Sequence, residues 1–126
     1  MKISVIEAGG VRIAVCESDE AVIFDGQSAL DFIVGIGYEH DCYCLVIDKT
    51  AIVEGFFDLS SGIAGEVAQK FVNYGFRVAI VGDFSAYSSQ ALRAYIYESN
   101  NGRHLCFVGD VDAAIARLSG LVASQG

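Results

Sequence analysis

The stretch Phe57-Asp58-Leu59-Ser60-Ser61-Gly62-Ile63-Ala64-Gly65 decides how this chain is read. Small hydroxyl residues stand where a helix begins, because the first-turn amides have no partner inside the helix and need one outside it. Ile63, Val67, Phe71 and Tyr74 then recur at helical spacing, with Ala64, Ala68 and Val72 beside them. The pattern predicts an amphipathic helix over about 61–74, ended by Gly75. Val78-Ala79-Ile80-Val81 follows as a nearly continuous apolar run, the mark of a strand buried on both faces.

The same alternation of helix and buried strand extends in both directions. Upstream, Ile3 and Val5, then Val11, Ile13 and Val15, alternate with other residues around Ala8-Gly9-Gly10, which predicts a β-hairpin. After the polar break Ser18-Asp19-Glu20, the run Ala21-Val22-Ile23-Phe24 adds a short extended piece. Asp25 or Ser28 caps a first helix carrying Ala29, Leu30, Ile33 and Val34, with Gly35 and Gly37 ending it. Tyr43-Cys44-Leu45-Val46-Ile47 is another buried strand. The segment 49–59 has no clear period, but Phe56 and Phe57 set it against the core. Downstream, a third helix over 89–100 places Leu92, Tyr95, Ile96 and Ser99 on one face. Leu105-Cys106-Phe107-Val108 is the last strand, and Asp110 caps a final helix carrying Ala114, Ile115 and Leu118. The expectation is an α/β fold: an N-terminal hairpin, a mixed and mostly parallel sheet, and about four helices with right-handed crossovers.

Composition supports one domain over 1–126. Hydrophobic residues make up 53% of the 126 residues and charged ones 19%. A chain of this length buries roughly two-thirds of its unfolded surface and needs no metal or disulfide to fold. The apolar excess suits a dimer that hides one face. A net charge of −8 with eight scattered basic residues speaks against nucleic acid and anionic membrane. No apolar run reaches the ~18 residues of a membrane span. The N-terminus reads as a strand rather than a signal peptide, so Cys16, Cys42, Cys44 and Cys106 are expected as reduced thiols of a cytoplasmic protein.

Several constellations carry possible chemistry. Asp48, Asp83 and Asp110 each follow a strand, so parallel strands would bring them to one edge, where α/β proteins bind ligands. With Asp58 and Ser85 they are candidates for a ligand or hard-cation edge; the plainer reading is that Asp83 and Asp110 open turns and cap helices while Asp48 pairs with Lys49 or a nearby backbone group. Ser60 and Ser61 at a helix start suit an anion or a phosphorylated hydroxyl, or simply cap the helix. Cys42 and Cys44 share a face if both lie on a strand, as two core cysteines would; with His40, His104 and Cys106 they lack zinc spacing. A nucleophilic Cys–His pair would need meeting in space. Tyr87, Tyr95, Tyr97 and Arg93 form a candidate recognition surface, although one helix tyrosine must face the core. No phosphate-cradling loop and no catalytic motif is present, so no cofactor is expected and no metal ligand is named.

The succession Leu45-Val46-Ile47-Asp48, Ser60-Ser61-Gly62-Ile63, Val78-Ala79-Ile80-Val81-Gly82 and the final helix 110–118 resembles the STAS domain, the fold of anti-sigma-factor antagonists. Ala29-Leu30-Asp31, Phe56-Phe57-Asp58-Leu59-Ser60-Ser61-Gly62, Lys70-Phe71-Val72-Asn73-Tyr74, Val81-Gly82-Asp83-Phe84-Ser85 and Ile96-Tyr97-Glu98-Ser99-Asn100 are similar, over nearly the whole chain, to a bacterial domain-of-unknown-function family, number 4180. The STAS resemblance implies a non-enzymatic regulatory or adaptor domain that binds a protein partner, with Ser60 at the position of the phosphorylated serine. Leu59 stands where that pattern has an aspartate, and Asp58 lies one residue early. The expected function is therefore partner binding or self-association, as a homodimer, around Ser60 and the second helix. The alternative is a small-molecule or metal-binding domain at the carboxyl edge; a small hydrolase or transferase ranks third.

Overall fold

Two glycines set the first turn. In the computed structural model, which describes residues 1–123, Gly9 and Gly10 have φ of 59° and 80°. Type I′ hairpin turns require a positive φ at both central positions. They join β1 (Lys2–Ala8) to β2 (Val11–Glu17) in an antiparallel ladder from Lys2–Glu17 to Ala8–Val11. The chain then alternates: α1 (Gly26–His40), β3 (Cys44–Asp48), α2 (Ile63–Asn73), β4 (Arg77–Val81), α3 (Gln90–Asn100), β5 (Leu105–Val108) and α4 (Val111–Ala123). The strands lie in sequence order, β1-β2-β3-β4-β5, and every pairing after the hairpin is parallel.

That order decides where the helices go. A parallel sheet that always advances in one direction through right-handed crossovers puts every connecting helix on the same face. Accordingly, Ile33 of α1, Val67 and Phe71 of α2 and Leu92 of α3 share one core with Leu45, Ile47, Val78, Ile80 and Phe107 of the sheet. The opposite residues of the same strands, Cys44, Val46, Ala79 and Cys106, pack with Ala114 and Leu118 of α4. The expected α/β class, with hairpin, mostly parallel sheet and four helices, is the one observed.

Two local expectations need correction and two are refined. Gly35 and Gly37 do not end α1, which runs on to His40. Burial of Ile36 holds the turn they weaken, and Asp41, at φ 53°, closes the helix with its N–H on the Gly37 carbonyl. Asp25 and Ser28 both act at its start, as a reciprocal capping box. The run 21–24 is no strand; it supplies a single bridge, Ile23 to Ile52. The segment 49–61 winds through three 3₁₀ turns, Lys49–Ala51, Glu54–Phe57 and Leu59–Ser61, whose Phe56 and Phe57 are buried as anticipated.

Candidate functional site

Because β2 to β5 run parallel, the segments that leave β3, β4 and β5 emerge on one edge of the sheet, carrying Asp48, Asp83 and Asp110. Each carboxylate is engaged by its own chain. Asp48 Oδ1 accepts from the Thr50 amide at 3.1 Å and hydroxyl at 3.2 Å. Asp58 Oδ1 accepts from the Ser60 amide at 3.1 Å and hydroxyl at 2.6 Å. Asp83 Oδ1 accepts from the Ser85 amide at 2.9 Å and hydroxyl at 2.6 Å. Asp110 Oδ1 accepts from the Ala113 amide at 2.7 Å, capping α4. An aspartate followed two residues later by a hydroxyl is thus one turn device used three times. The Ser85 bonds hold the Asp83 carboxyl below its ordinary range, the hydroxyl first and the amide second. Among the described residues, no three His, Cys, Asp or Glu side chains are grouped to hold a metal ion.

Ser60 and Ser61 are exposed, but neither occupies the N-cap position of α2. That position belongs to Gly62, at φ 79°, which offers no side chain. The helix begins two residues later than its sequence signal because the 3₁₀ turn consumes both serines. Ser61 Oγ donates to the Gly55 carbonyl at 2.7 Å and accepts the Ile63 amide at 3.2 Å, tying two turns together. Ser60 Oγ donates only locally, to Asp58.

Beside these turns lies a cluster that no spacing in the sequence reveals, because its members are far apart along the chain. The Tyr87 ring stacks on Phe57, with centroids 5.3 Å apart, and its hydroxyl donates to Glu54 Oε1 at 2.7 Å. Lys49 Nζ lies 4.7 Å from the Tyr87 centroid and 5.6 Å from that of Phe57. The Tyr87 bond pushes the Lys49 pKa up, while burial pushes that of Tyr87 up, so the first stays cationic and the second protonated at neutral pH. Neither is a ready base. A Cβ at Gly82 would stand 2.9 Å from the Lys49 Cβ, which explains the glycine there. On the α4 side of the same edge, a cleft of about 240 Å³ has Val15, Val46, Val81 and Val111 as its apolar lining and Glu17, Asp19 and Asp48 as acidic lining.

The remaining candidates separate. All four cysteines are free and buried. Cys42 packs on the three-helix side and Cys44 on the α4 side, so they do not share a face; β3 begins only at Cys44 and strand alternation does not reach back to Cys42. Burial raises all four thiol pKa values, Cys16 to about 11, which leaves no activated thiolate at neutral pH. His104 Nδ1 sits 3.1 Å from the Phe76 carbonyl, and His40 pairs with Glu39 at 3.9 Å. Tyr95 packs on the core against Phe107 and leaves the group, whereas Arg93 Nε donates to the Tyr87 carbonyl at 3.2 Å and Tyr97 is 72% exposed one turn further along α3. Among the described residues no helix is long and apolar enough to cross a membrane.

Comparison with known proteins adds one finding. A family model described as Domain of unknown function (DUF4180) matches residues 8–118. No curated protein and no solved structure matches.

Proposed function

The chain belongs to the DUF4180 family of domains of unknown function, and from that premise we propose that it is a non-enzymatic regulatory or adaptor domain that binds a protein partner. We read its fold as STAS-like and its setting as the bacterial cytoplasm, supported by the hairpin-then-alternation order and by four buried free thiols. The observation that carries the reading is the exposed Asp58–Ser60 turn at the head of α2. A phosphoryl group on Ser60 Oγ would sit against a carboxylate now 2.6 Å away. The two anions repel and compete for the same amides, so modification would open the turn and change the surface a partner meets.

The test is crosslinked co-purification from the native cell with wild type, Ser60→Ala and Ser60→Asp. The partner is expected with the first two and lost with the third. Equal recovery with Ser60→Asp would remove the switch.

The cleft lined by three strand valines and by Glu17, Asp19 and Asp48 supports a second reading, a small cationic ligand at the carboxyl edge. A ligand present at ~100 times its dissociation constant would add about 2.7 kcal/mol of stability. A thermal-shift screen of small amines and divalent cations checks this; no shift for any of them would retire it.

A further inference from the structure

The two edges of the sheet are finished differently. At one, β5 offers four residues, and the Asn100 side chain stands in for a neighbouring strand. Its Oδ1 accepts the Phe107 amide at 2.7 Å and its Nδ2 donates to the Phe107 carbonyl at 3.2 Å. At the other edge, β1 offers seven residues in unbroken register with β2, without proline or bulge. Among the described residues no loop or side chain bonds to its outer side. The type I′ turn closes on a hydrogen-bonded Ala8–Val11 pair, and such pairs alternate along an antiparallel ladder. Lys2, Ser4, Ile6 and Ala8 therefore bond inward to β2, while Ile3, Val5 and Glu7 turn their amides and carbonyls away from the sheet. Natural proteins blunt such an edge with proline, a bulge, a cover or an inserted charge, because it templates another strand. Here the one lysine, Lys2, stands at the end of the strand and leaves its middle open.

We propose that this edge pairs with β1 of a second copy, antiparallel about a twofold axis through Val5, so that the five strands of each copy join in one sheet. The strand is its own complement. Only a register centred on Val5 sets all three outward residues against outward residues of the same strand. Ile3 meets the second copy's Glu7, Val5 meets Val5, and Glu7 meets Ile3, each pair exchanging two bonds. Charge agrees. β1 carries one base and one acid, both exposed and near opposite ends, and so holds no share of the net charge of −8. Antiparallel pairing brings Lys2 of each copy to the end that carries the other's Glu7, whereas parallel pairing sets like against like. A foreign strand has neither this register nor this charge match built in. Ile3 and Val5, partly buried beside the three-helix core, and Ile6, partly buried on the α4 side, each gain a cross-strand neighbour. One strand pair is small against the ~1,600 Å² of a standard interface, which sets the dissociation constant in the micromolar range or above. β1 lies two strands from β3, where the crossover that carries Ser60 begins, so the pairing does not depend on the Ser60 switch.

The test uses the purified full chain. Sedimentation from about 1 µM to about 1 mM should show monomer passing to dimer. Across the same series, amide hydrogen exchange at Ile3, Val5 and Glu7 should slow by about fivefold or more, with Leu105 on the far edge unchanged. Val5→Pro removes an N–H that faces outward, which an edge strand tolerates, and it should abolish the dimer. Lys2→Glu and Glu7→Lys should each weaken association by about threefold or more, and the two together should restore it. That restoration, with the exchange pattern of the unaltered chain, keeps the proposal open to refutation should Val5→Pro fail to fold. A monomer at every concentration, a dimer protected elsewhere, or a dimer indifferent to these variants would overturn it. So would protection at 3, 5 and 7 that appears only when cell lysate is added to a monomeric chain, because the edge would then belong to a foreign strand.

Discussion

Three helices close one face of the sheet, whereas a single helix closes the other. On the first face, α1, α2 and α3 are connections between neighbouring strands, so each is fixed at both ends by the sheet it covers. On the second, α4 follows β5 and is not held between two strands. Its packing rests on Ala114 and Leu118 against Ile13, Val46, Ala79 and Cys106, and on Arg117, whose guanidinium reaches the Asn100 and Gly102 carbonyls. The same Asn100 bonds both the amide and the carbonyl of Phe107, so its side chain substitutes for a strand along part of β5. The difference teaches that the two faces can be buried to the same degree and still be secured differently, one by topology and one by a few side chains.

The comparison can be broken with two core truncations. Phe71→Ala, fully buried under the three helices, should cost about 3–5 kcal/mol, and Leu118→Ala, fully buried under α4, nearer about 2–3 kcal/mol because a helix held at one end can settle into the void. Urea unfolding reads both; a larger loss for Leu118→Ala would reverse the ranking. Arg117→Ala should cost about 1–3 kcal/mol by leaving the Asn100 and Gly102 carbonyls without their charged donor. It should also speed alkylation of Cys44 and Cys106, under α4, ahead of Cys16, under the other helices. Mass-spectrometric thiol labelling in native buffer shows the order, and equal rates at all three would mean that the faces open together.

Gly62→Ala sharpens the picture at the entry to α2. Forcing a Cβ into φ 79° should cost about 1–2 kcal/mol, and hydrogen exchange should rise first in residues 59–66. The smallest effect at neutral pH is at Cys16, whose thiol pKa burial raises from 9.0 to about 11. The folded state then holds the proton more tightly than the unfolded chain does. Its contribution is complete below pH 9 and is lost as pH rises through 11. Cys16→Ala should flatten the alkaline decline of stability across that window, and an unchanged slope would assign the decline to other groups.

Much of the architecture was legible because burial leaves a period. The glycine pair at 9–10, the apolar runs at 44–47, 78–81 and 105–108, and the stripe Ile63, Val67, Phe71 each have a counterpart in the fold. What failed to show lacked a period or a neighbour. The 3₁₀ turns of 49–61 repeat too briefly to leave a pattern, so in the sequence the serines read as the start of α2. Gly35 and Gly37 read as a stop because helix propensity is local, while the burial of Ile36 is not. Lys49, Glu54 and Tyr87 meet across up to 38 positions. The turn at Asp83 and the cap at Asp110 follow from short-range chemistry, and short-range chemistry is what a sequence displays; the like turns at Asp48 and Asp58 show only in the fold.

A sheet whose strands lie in chain order can be assembled as the ribosome delivers it, each new strand finding the previous one already in place. Every stage but the last leaves Val46, Ala79 and Cys106 facing water, since α4 emerges after β5. A nascent chain stalled within β5 should therefore bind a hydrophobic dye or a chaperone, and one stalled after α4 has cleared the exit tunnel should not.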